Sequence, residues 1–449
     1  MSTTTTIIEP AAPTGVRRLL LAGPELASHT KCFGSAPTGG TAFLDAVTAS
    51  GLSGRGGAAF PAARKLAAVA AGRRAVVVAN GAEGEPASSK DAVLLSRAPH
   101  LVLDGLGIAA DAVGARECHL YAPAPLLDGV RRALDERRAS GYDRRTVRLT
   151  ASAETFLSGE KTAVINRIAA LPALPGDQLI STSQAGLRGR PTLVHNVETL
   201  AHLALIARYG PRWFRTAGTP DEPGTMLVTL SGTTATGVVE VPLGIPLLDL
   251  IARHGRTDPR TVRAILVGGY HGAWIPAAAL HRAALSSAAL RPLHASPGAG
   301  VVRVLSRTEC GLRASADIIT YLAAQSARQC GPCRNGLPAL AETFAPLAAG
   351  HPVDPREIAR LANLVDGRGA CAHPDGTARL VRSALDVFAQ DVALHLHGRC
   401  QVAGRDQGVA TPRTATDTAA GSSTTRIDTD RTRPMRSVSK VVSEHGAAS

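Results

Sequence analysis

Three thiols stand at spacings that suit shared ligation more than a disulfide. Cys330 and Cys333 form a C-x-x-C pair, and Cys371 follows 38 residues later. In a reducing compartment such a set reads as a metal or cluster site, not a cross-link. Cys32, Cys118, Cys310 and Cys400 are isolated in the chain; Cys32, Cys118 and Cys400 are assigned structural roles.

A second chemistry lies near the N-terminus, in Gly54-Arg55-Gly56-Gly57-Ala58-Ala59-Phe60-Pro61. The string fits G-x-G-x-x-G/A, but that fingerprint requires a strand before the turn. Here a helical stretch precedes the glycines and the strand comes after. What survives is simpler physics: clustered glycines expose backbone N–H groups, and the following helix N-terminus favours an anion. The bland alternative is a flexible loop between helices. Strand AVVVA (75–79) then runs into Asn80-Gly81-Ala82-Glu83-Gly84-Glu85-Pro86, with Lys90 and Asp91 beyond. Open α/β sheets bind ligands at the C-terminal ends of their parallel strands. An Asn and two carboxylates there suit hydrogen bonds to a flavin ring or ribitol; a solvated acidic loop is the alternative.

The elements that must position these residues follow from periodicity. Helical patterns at about 41–50, 61–71, 99–114 and 125–138 alternate with short apolar strands at 75–79, 117–122 and 146–150, which predicts a parallel sheet covered by helices. Residues 151–215 read as mostly helical with long polar loops. After a linker at 219–224, β signals in MLVTLSG, VVEVPLG and AILVGG, with an amphipathic helix IPLLDLIARHG, predict a compact module at 225–300. Residues 305–400 show helical periodicity almost throughout, the pattern of a small bundle. The stretch 1–40 is a partly loose N-terminal segment, and 402–449, rich in Thr, Ser, Asp, Arg and Gly, is expected to be disordered.

Composition narrows the function. The chain has 449 residues, a net charge of +13 and 3% aromatic residues. Its positive charges are scattered without a long basic run, and few aromatics are available for base stacking, so an acidic protein partner fits better than nucleic acid. No window approaches the ~18 apolar residues of a membrane span. Arg17-Arg18 precedes an apolar run that ends at Pro24-Glu25, too short for a signal peptide. A cytoplasmic protein without direct membrane insertion is expected.

Four segments in order resemble one family. The family pattern GRGGAGFP, NADE-x-EPG…KD, Y-x-x-GEETAL and GKPT-x-VNNVETL is matched by GRGGAAFP (54–61), NGAEGEP…KD (80–91), FLSGEKTAV (156–164) and GRPTLVHNVETL (189–200). The chain thus resembles the flavoprotein subunit of respiratory NADH:quinone oxidoreductase and its relatives in soluble hydrogenases and formate dehydrogenases, over roughly residues 40–395.

The resemblance implies an α/β fold: a Rossmann-like parallel-sheet FMN domain (41–215), a β-grasp-like SLBB module (225–300) and a helical-bundle iron–sulfur domain (305–400). It implies FMN contacts from Gly54, Gly56, Gly57, Lys65, Asn80, Glu83, Glu160 and Asn196, and NAD contacts from Phe60 and Glu85. It also implies a [4Fe–4S] cluster on Cys330, Cys333 and Cys371. A ferredoxin or another redox subunit would accept the electrons.

The chain departs from the family at telling places. Ala82 replaces the Asp of NADE and His195 the first Asn of VNN. Lys161 replaces the second Glu of GEE, while Gln178 and Ser181 replace a Lys and a Phe of the nucleotide site. NADH binding could be weakened, retuned or lost. Ala327 stands where the family has the first cluster cysteine. Cys310, His373 and a solvent or exchangeable ligand are the options for the fourth position; a ~15-residue helix of ~22 Å separates Cys310 from the pair. His395 and His397 read as exposed helix-end residues, Trp213 and Trp274 as core. Two rival readings stand beside the main one: an FMN/ferredoxin electron-transfer subunit that does not use NADH, and a non-catalytic SLBB scaffold with decayed cofactor sites.

Overall fold

The computed structural model describes residues 6–7, 17–176 and 180–402. Gln178 and the expected disordered tail beyond residue 402 lie outside the described residues.

A four-stranded parallel sheet underlies the glycine loop. Its strands are β1 (Val76–Asn80), β2 (Glu117–Ala122), β3 (Val147–Ala151) and β4 (Thr192–Asn196), in the order β3-β2-β1-β4. The first three match the apolar runs of the sequence. The fourth falls in a stretch expected to be helix and loop, and it forms because TLVHN pairs in register with VVVAN of β1. Helices cover both faces. Pro99–Ala112 and Val197–Phe214 pack Leu101, Leu106, Leu200 and Leu203 against one side, while Lys161–Ile168 lays Val164 and Ile165 on the other.

The sheet order fixes where a ligand can sit. The chain runs outward from β1 through β2 to β3, then returns to place β4 on the opposite side of β1. The topological switch point is therefore between β1 and β4, and crevices for ligands open there at the C-terminal ends. The C-terminal residues of those two strands are Asn80 and Asn196, directly paired in register.

The N-terminal segment is held by charge. Asp104, fully buried, accepts from His29 on helix Leu26–Phe33 at 2.8 Å and from Arg137 at 2.8 Å, and also pairs with Arg208. Burial alone would raise the pKa of Asp104; the His29 hydrogen bond and the two guanidinium groups outweigh it and hold it down to about 2. Removing one partner of such a buried set costs about 3–5 kcal/mol.

A second sheet, order β6-β5-β9-β7-β8, comprises β5 (Thr225–Ser231), β6 (Gly237–Pro242), β7 (Val262–Val267), β8 (Ala273–Pro276) and β9 (Val301–Ser306). β5 and β9 are parallel; the other pairings are antiparallel. The amphipathic run at 245–255 becomes a short helix Leu247–Asp249 that continues as a π turn, Leu250–His254.

Helices Gly311–Ala324, Leu337–Ala349, Pro355–Val365, His373–Val387 and Ala389–His395 then pack around Leu322, Leu340, Phe344 and Val381. Within the helical periodicity of 305–400, the run at 377–396 is broken at Phe388, whose φ of −106° and ψ of 27° leave the helical region. Among the described residues no single helix is long and apolar enough to cross a membrane.

Candidate functional site

The glycine loop is a closed turn. The Gly54 N–H donates to the Phe60 carbonyl at 2.9 Å, and the Ala62 N–H donates to Leu52 O at 2.9 Å. Arg55, 2% exposed, reaches out of the loop to the carbonyls of Thr225 and Pro223, and so ties it to β5. Gly56 is left facing a cavity of about 250 Å³ that opens over Asn80 and Asn196.

The floor of this cavity is a polar network. Lys90 is buried and donates to Asp91 at 2.8 Å, to Glu198 at 2.9 Å and to Asn196 at 3.2 Å. Burial disfavours its charge, but the Asp91 and Glu198 carboxylates outweigh that and keep its pKa above the ordinary lysine value. Asn196 donates to the Asn80 carbonyl at 3.3 Å and accepts from the Glu198 N–H at 3.0 Å. Asn80 in turn donates to Gly159 O at 2.9 Å. Glu83 accepts from Ser88 at 2.6 Å and from the Ala92 N–H at 3.1 Å, and burial, then the Asp91 charge, pushes its pKa up to about 7. Glu160 lines the wall while capping helix Lys161–Ile168, accepting from Thr162 N at 2.8 Å and Ala163 N at 3.1 Å.

The expected contacts divide in two. Gly56, Asn80, Glu83, Glu160 and Asn196 all line the cavity, as does Cys371. Gly54 and Gly57 shape the loop behind it, Gly57 with φ +100°. Lys65 does not line the cavity: its ammonium donates to Val194 O, and burial, then Lys161, lowers its pKa to about 8. Glu85 is also turned aside. It accepts from the Tyr270 N–H at 2.7 Å, which docks the loop onto the second sheet, and burial raises its pKa to about 7. Phe60 is 49% exposed, with Arg64 over its ring at 5.6 Å.

Two lining residues, Phe156 and His271, escaped the sequence reading. Phe156 meets His271 edge-on at 4.6 Å and His373 at 5.4 Å. Each comes from a different part of the chain; Phe156 opens the FLSGEKTAV segment, whereas no local motif marks His271. Gly84 allows the segments to close: a Cβ there would lie 1.9 Å from Phe156 O.

Of the three thiols, Cys371 lines the cavity. The Cys330 and Cys333 side chains hydrogen-bond to each other, and Cys371 interacts electrostatically with both. Burial opposes ionisation of Cys330, but backbone N–H groups of Ala370 and Cys333 outweigh it and lower its pKa. Cys333 is pushed up to about 12 by burial and then by Cys330. The Ala327 N–H points at the Cys333 sulfur, so the residue in place of the family's first cysteine lies beside the pair.

Neither protein option for a fourth ligand is free. His373 uses Nε2 on Leu322 O at 2.8 Å and Nδ1 on His271 at 3.0 Å. Cys310 instead adjoins His395, 3.6 Å away. His395 is 1% exposed, so the expectation of an exposed helix end fails; the carbonyl of Leu347 covers it. Cys32, by contrast, is exposed.

Comparison with known proteins agrees with this layout. Residues 47–205 match the Nuo51 FMN-binding domain, and residues 313–395 match the NADH-ubiquinone oxidoreductase-F iron-sulfur binding region. The second F-type chain of the NADH-quinone oxidoreductase of Rhizobium meliloti (strain 1021) is 31% identical over 375 residues, covering 79% of this chain and 89% of that protein. The F-type chain of the NADH-quinone oxidoreductase of Rhodobacter capsulatus is 29% identical over 379 residues, covering 79% and 88%. Among solved structures, the NAD+-reducing [NiFe]-hydrogenase in the air-oxidized state aligns with a TM-score of 0.73 at 31% identity, over 79% of this chain and 62% of the hydrogenase chain. The H2-reduced state gives 0.75 at 27% identity, over 88% and 68%. The chain is an oxidoreductase that belongs to the family of F-type NADH-quinone oxidoreductase subunits, with that family's FMN-binding domain and iron–sulfur region.

Proposed function

We propose that the chain passes electrons from NADH, through FMN in the cavity at the β1/β4 switch point, to an iron–sulfur centre on Cys330, Cys333 and Cys371. One observation carries this reading. A single cavity is lined by Gly56, Asn80 and Asn196 and also by Cys371. A redox group seated on the strand ends would thus share its cavity with one of the proposed cluster thiols.

The residues fit FMN in kind. Backbone donors at Gly56, the Asn80 and Asn196 amides and the Glu83 and Glu160 carboxylates offer donors and acceptors to a phosphate, a ribitol and a ring. FMN, when bound, takes electrons in pairs and releases them singly; the protein supplies position and tuning. Lys90 and Asp91 hold Asn196 in place. Phe156, His271 and His373 pack together in the cavity wall that also carries Cys371. Three thiolates leave one iron with an open position, taken by solvent or an exchangeable ligand. Ordinary clusters use four thiolates, and replacing thiolate ligands by neutral ones raises the potential.

In this reading 41–215 is the FMN domain, 225–300 a β-grasp-like SLBB module and 305–400 the iron–sulfur domain of a cytoplasmic protein. The acceptor is another redox subunit or an acidic ferredoxin-like protein, consistent with the net charge of +13.

A second reading is favoured by one residue. Lys161 lies close enough to Lys65 to lower its pKa, so a cation stands beside Lys65 where the family carries a Glu. On this reading a donor other than NADH reduces the flavin. Gly56→Asp tests the flavin assignment directly, because it puts a carboxylate where the phosphate should lie. The flavin:protein ratio after denaturation should fall at least ~10-fold; an unchanged ratio overturns the assignment. A wild-type protein that takes up neither flavin nor iron on reconstitution would favour a scaffold.

A further inference from the structure

A second group of metal-ligating side chains lies outside the cavity. Cys310, His395 and Cys400 each present one donor atom, and the three donors lie within 4.8 Å of one another. They come from separate places. Cys310 precedes helix Gly311–Ala324, His395 ends helix Ala389–His395, and Cys400 follows five residues later. Both cysteines are unpaired thiols.

The histidine is oriented for ligation. Its Nδ1 lies 3.0 Å from the Leu347 carbonyl oxygen. A carbonyl only accepts, so Nδ1 carries the proton and Nε2 is left with its lone pair. That Nε2 is 3.6 Å from the Cys310 sulfur. Metal-bound imidazoles typically use their second nitrogen in this way, donating to a carbonyl or carboxylate. The distance also fits: a tetrahedral zinc with a Zn–S bond of ~2.3 Å and a Zn–N bond of ~2.0–2.1 Å sets its sulfur and nitrogen donors about 3.6 Å apart.

The sulfurs lie in contact with each other. Cys310 and Cys400 are in side-chain hydrogen-bond contact, and N–H groups of Leu312 and Arg313 point at the Cys310 sulfur from the start of its helix. Burial is the larger effect and pushes the Cys310 thiol up to about 11, so it is the placement of the three donor atoms that favours ligation. The Cys400 segment is fixed by its neighbour, because Gln401 accepts from Arg263 at 2.7 Å.

We propose that Cys310, His395 and Cys400 form a Cys2His site for Zn²⁺, separate from the cluster thiols. Two thiolates and one imidazole are a borderline-soft donor set of the kind zinc takes. Binding forms two Zn–S bonds and one Zn–N bond. It releases two protons, one from each thiol, and none from His395; solvent or a small anion fills the fourth corner. The ion would clip the Cys400 segment to the start of helix Gly311–Ala324 and the end of helix Ala389–His395.

Elemental analysis of the full chain, purified anaerobically with reductant and desalted after incubation with Zn²⁺, tests the site. Wild type should hold about one zinc per chain beside its iron. The double variant Cys310→Ser/Cys400→Ser should lose that zinc with iron and flavin unchanged, whereas Cys371→Ser should disturb iron and leave zinc in place. Zinc well below one per chain in wild type, or zinc that survives the double variant, overturns the proposal. So does a Cys310–Cys400 disulfide found by mass spectrometry in the reduced preparation. Should the double variant fail to fold, Co²⁺ titration of the cluster-loaded wild type and of His395→Gln decides. A thiolate-to-cobalt charge-transfer band whose apparent affinity falls at least ~10-fold in the variant supports the site, and equal titrations refute it.

Discussion

The floor and the rim of the cavity are built under different constraints. On the floor, Asn80, Lys90, Asp91, Asn196 and Glu198 hold one another through hydrogen bonds and buried ion pairs on the ends of β1 and β4. At the rim, where we propose the nucleotide sits, Phe60 is 49% exposed, Ser181 is exposed, and Lys161 acts on Lys65 electrostatically. Residues that support the fold and face the ligand at once cannot change without cost. Residues that only face the ligand can. The polar floor keeps most of the residue types of the family pattern, while the rim proposed to face the nucleotide carries Lys161 and Ser181 in place of a Glu and a Phe.

The largest expected effect strikes the floor. Lys90→Ala strands Asp91 and Glu198 as buried carboxylates without their cation, which should cost about 3–5 kcal/mol. Denaturant unfolding should show a lower midpoint together with flavin loss. A neutral result would mean that the floor is no more constrained than the rim.

The next effect is pH dependence from the loop that closes over the floor. Glu83 and Glu85 both have pKa values raised to about 7 from 4.5, mainly by burial. The folded state therefore holds protons that the unfolded chain has released between those values. Their stabilising contribution is full below about pH 4.5 and is lost as pH rises through 7, amounting to up to about 3 kcal/mol for Glu85. Melting temperature should fall from pH 5 to pH 8, and Glu85→Gln should flatten the curve. A curve of unchanged slope in this variant would contradict the assignment.

At the rim, substitution should change chemistry with little change in stability. Lys161→Glu restores the family's charge and should speed NADH-dependent bleaching of the flavin in stopped flow, with the melting temperature within a degree or two of wild type. Slower bleaching would show that the lysine assists the donor. The smallest effect concerns Ala59, which sits at φ +49° where the family has glycine. Ala59→Gly removes about 1 kcal/mol of left-handed strain but loosens the unfolded chain by a similar amount. Thermal unfolding should therefore move by less than ~1 kcal/mol.

The same contrast governs what the sequence disclosed. The glycine loop, β1 with its Asn80, and the helices around them carry local patterns of turn, period and cap, and all were legible. β4 was not. TLVHN is five residues long, ends in His and Asn, and runs into VETLAHLAL without a turn signal; only pairing with β1 makes it a strand. Helix Lys90–Arg97 was missed because it opens on a charged pair that reads as loop, although tertiary contacts bury both residues. His271 reaches the cavity by long-range packing alone, whereas Phe156 sits at the head of the FLSGEKTAV segment without any sign of its ring's role. His395 looked exposed for the same reason: its cover is Leu347, 48 residues away.

We propose that a group held over Asn80 and Asn196 passes electrons to a centre on Cys330, Cys333 and Cys371, the last of which lines the same cavity. Anaerobic visible and EPR spectra before and after adding NADH, in wild type and Cys371→Ser, test it most directly. In wild type, bleaching of the flavin bands should be followed by the signal of a reduced cluster; in Cys371→Ser the flavin should still bleach while that signal is lost or altered. A cluster signal unchanged by Cys371→Ser, or a wild-type cluster that stays oxidised while the flavin bleaches, would contradict the account.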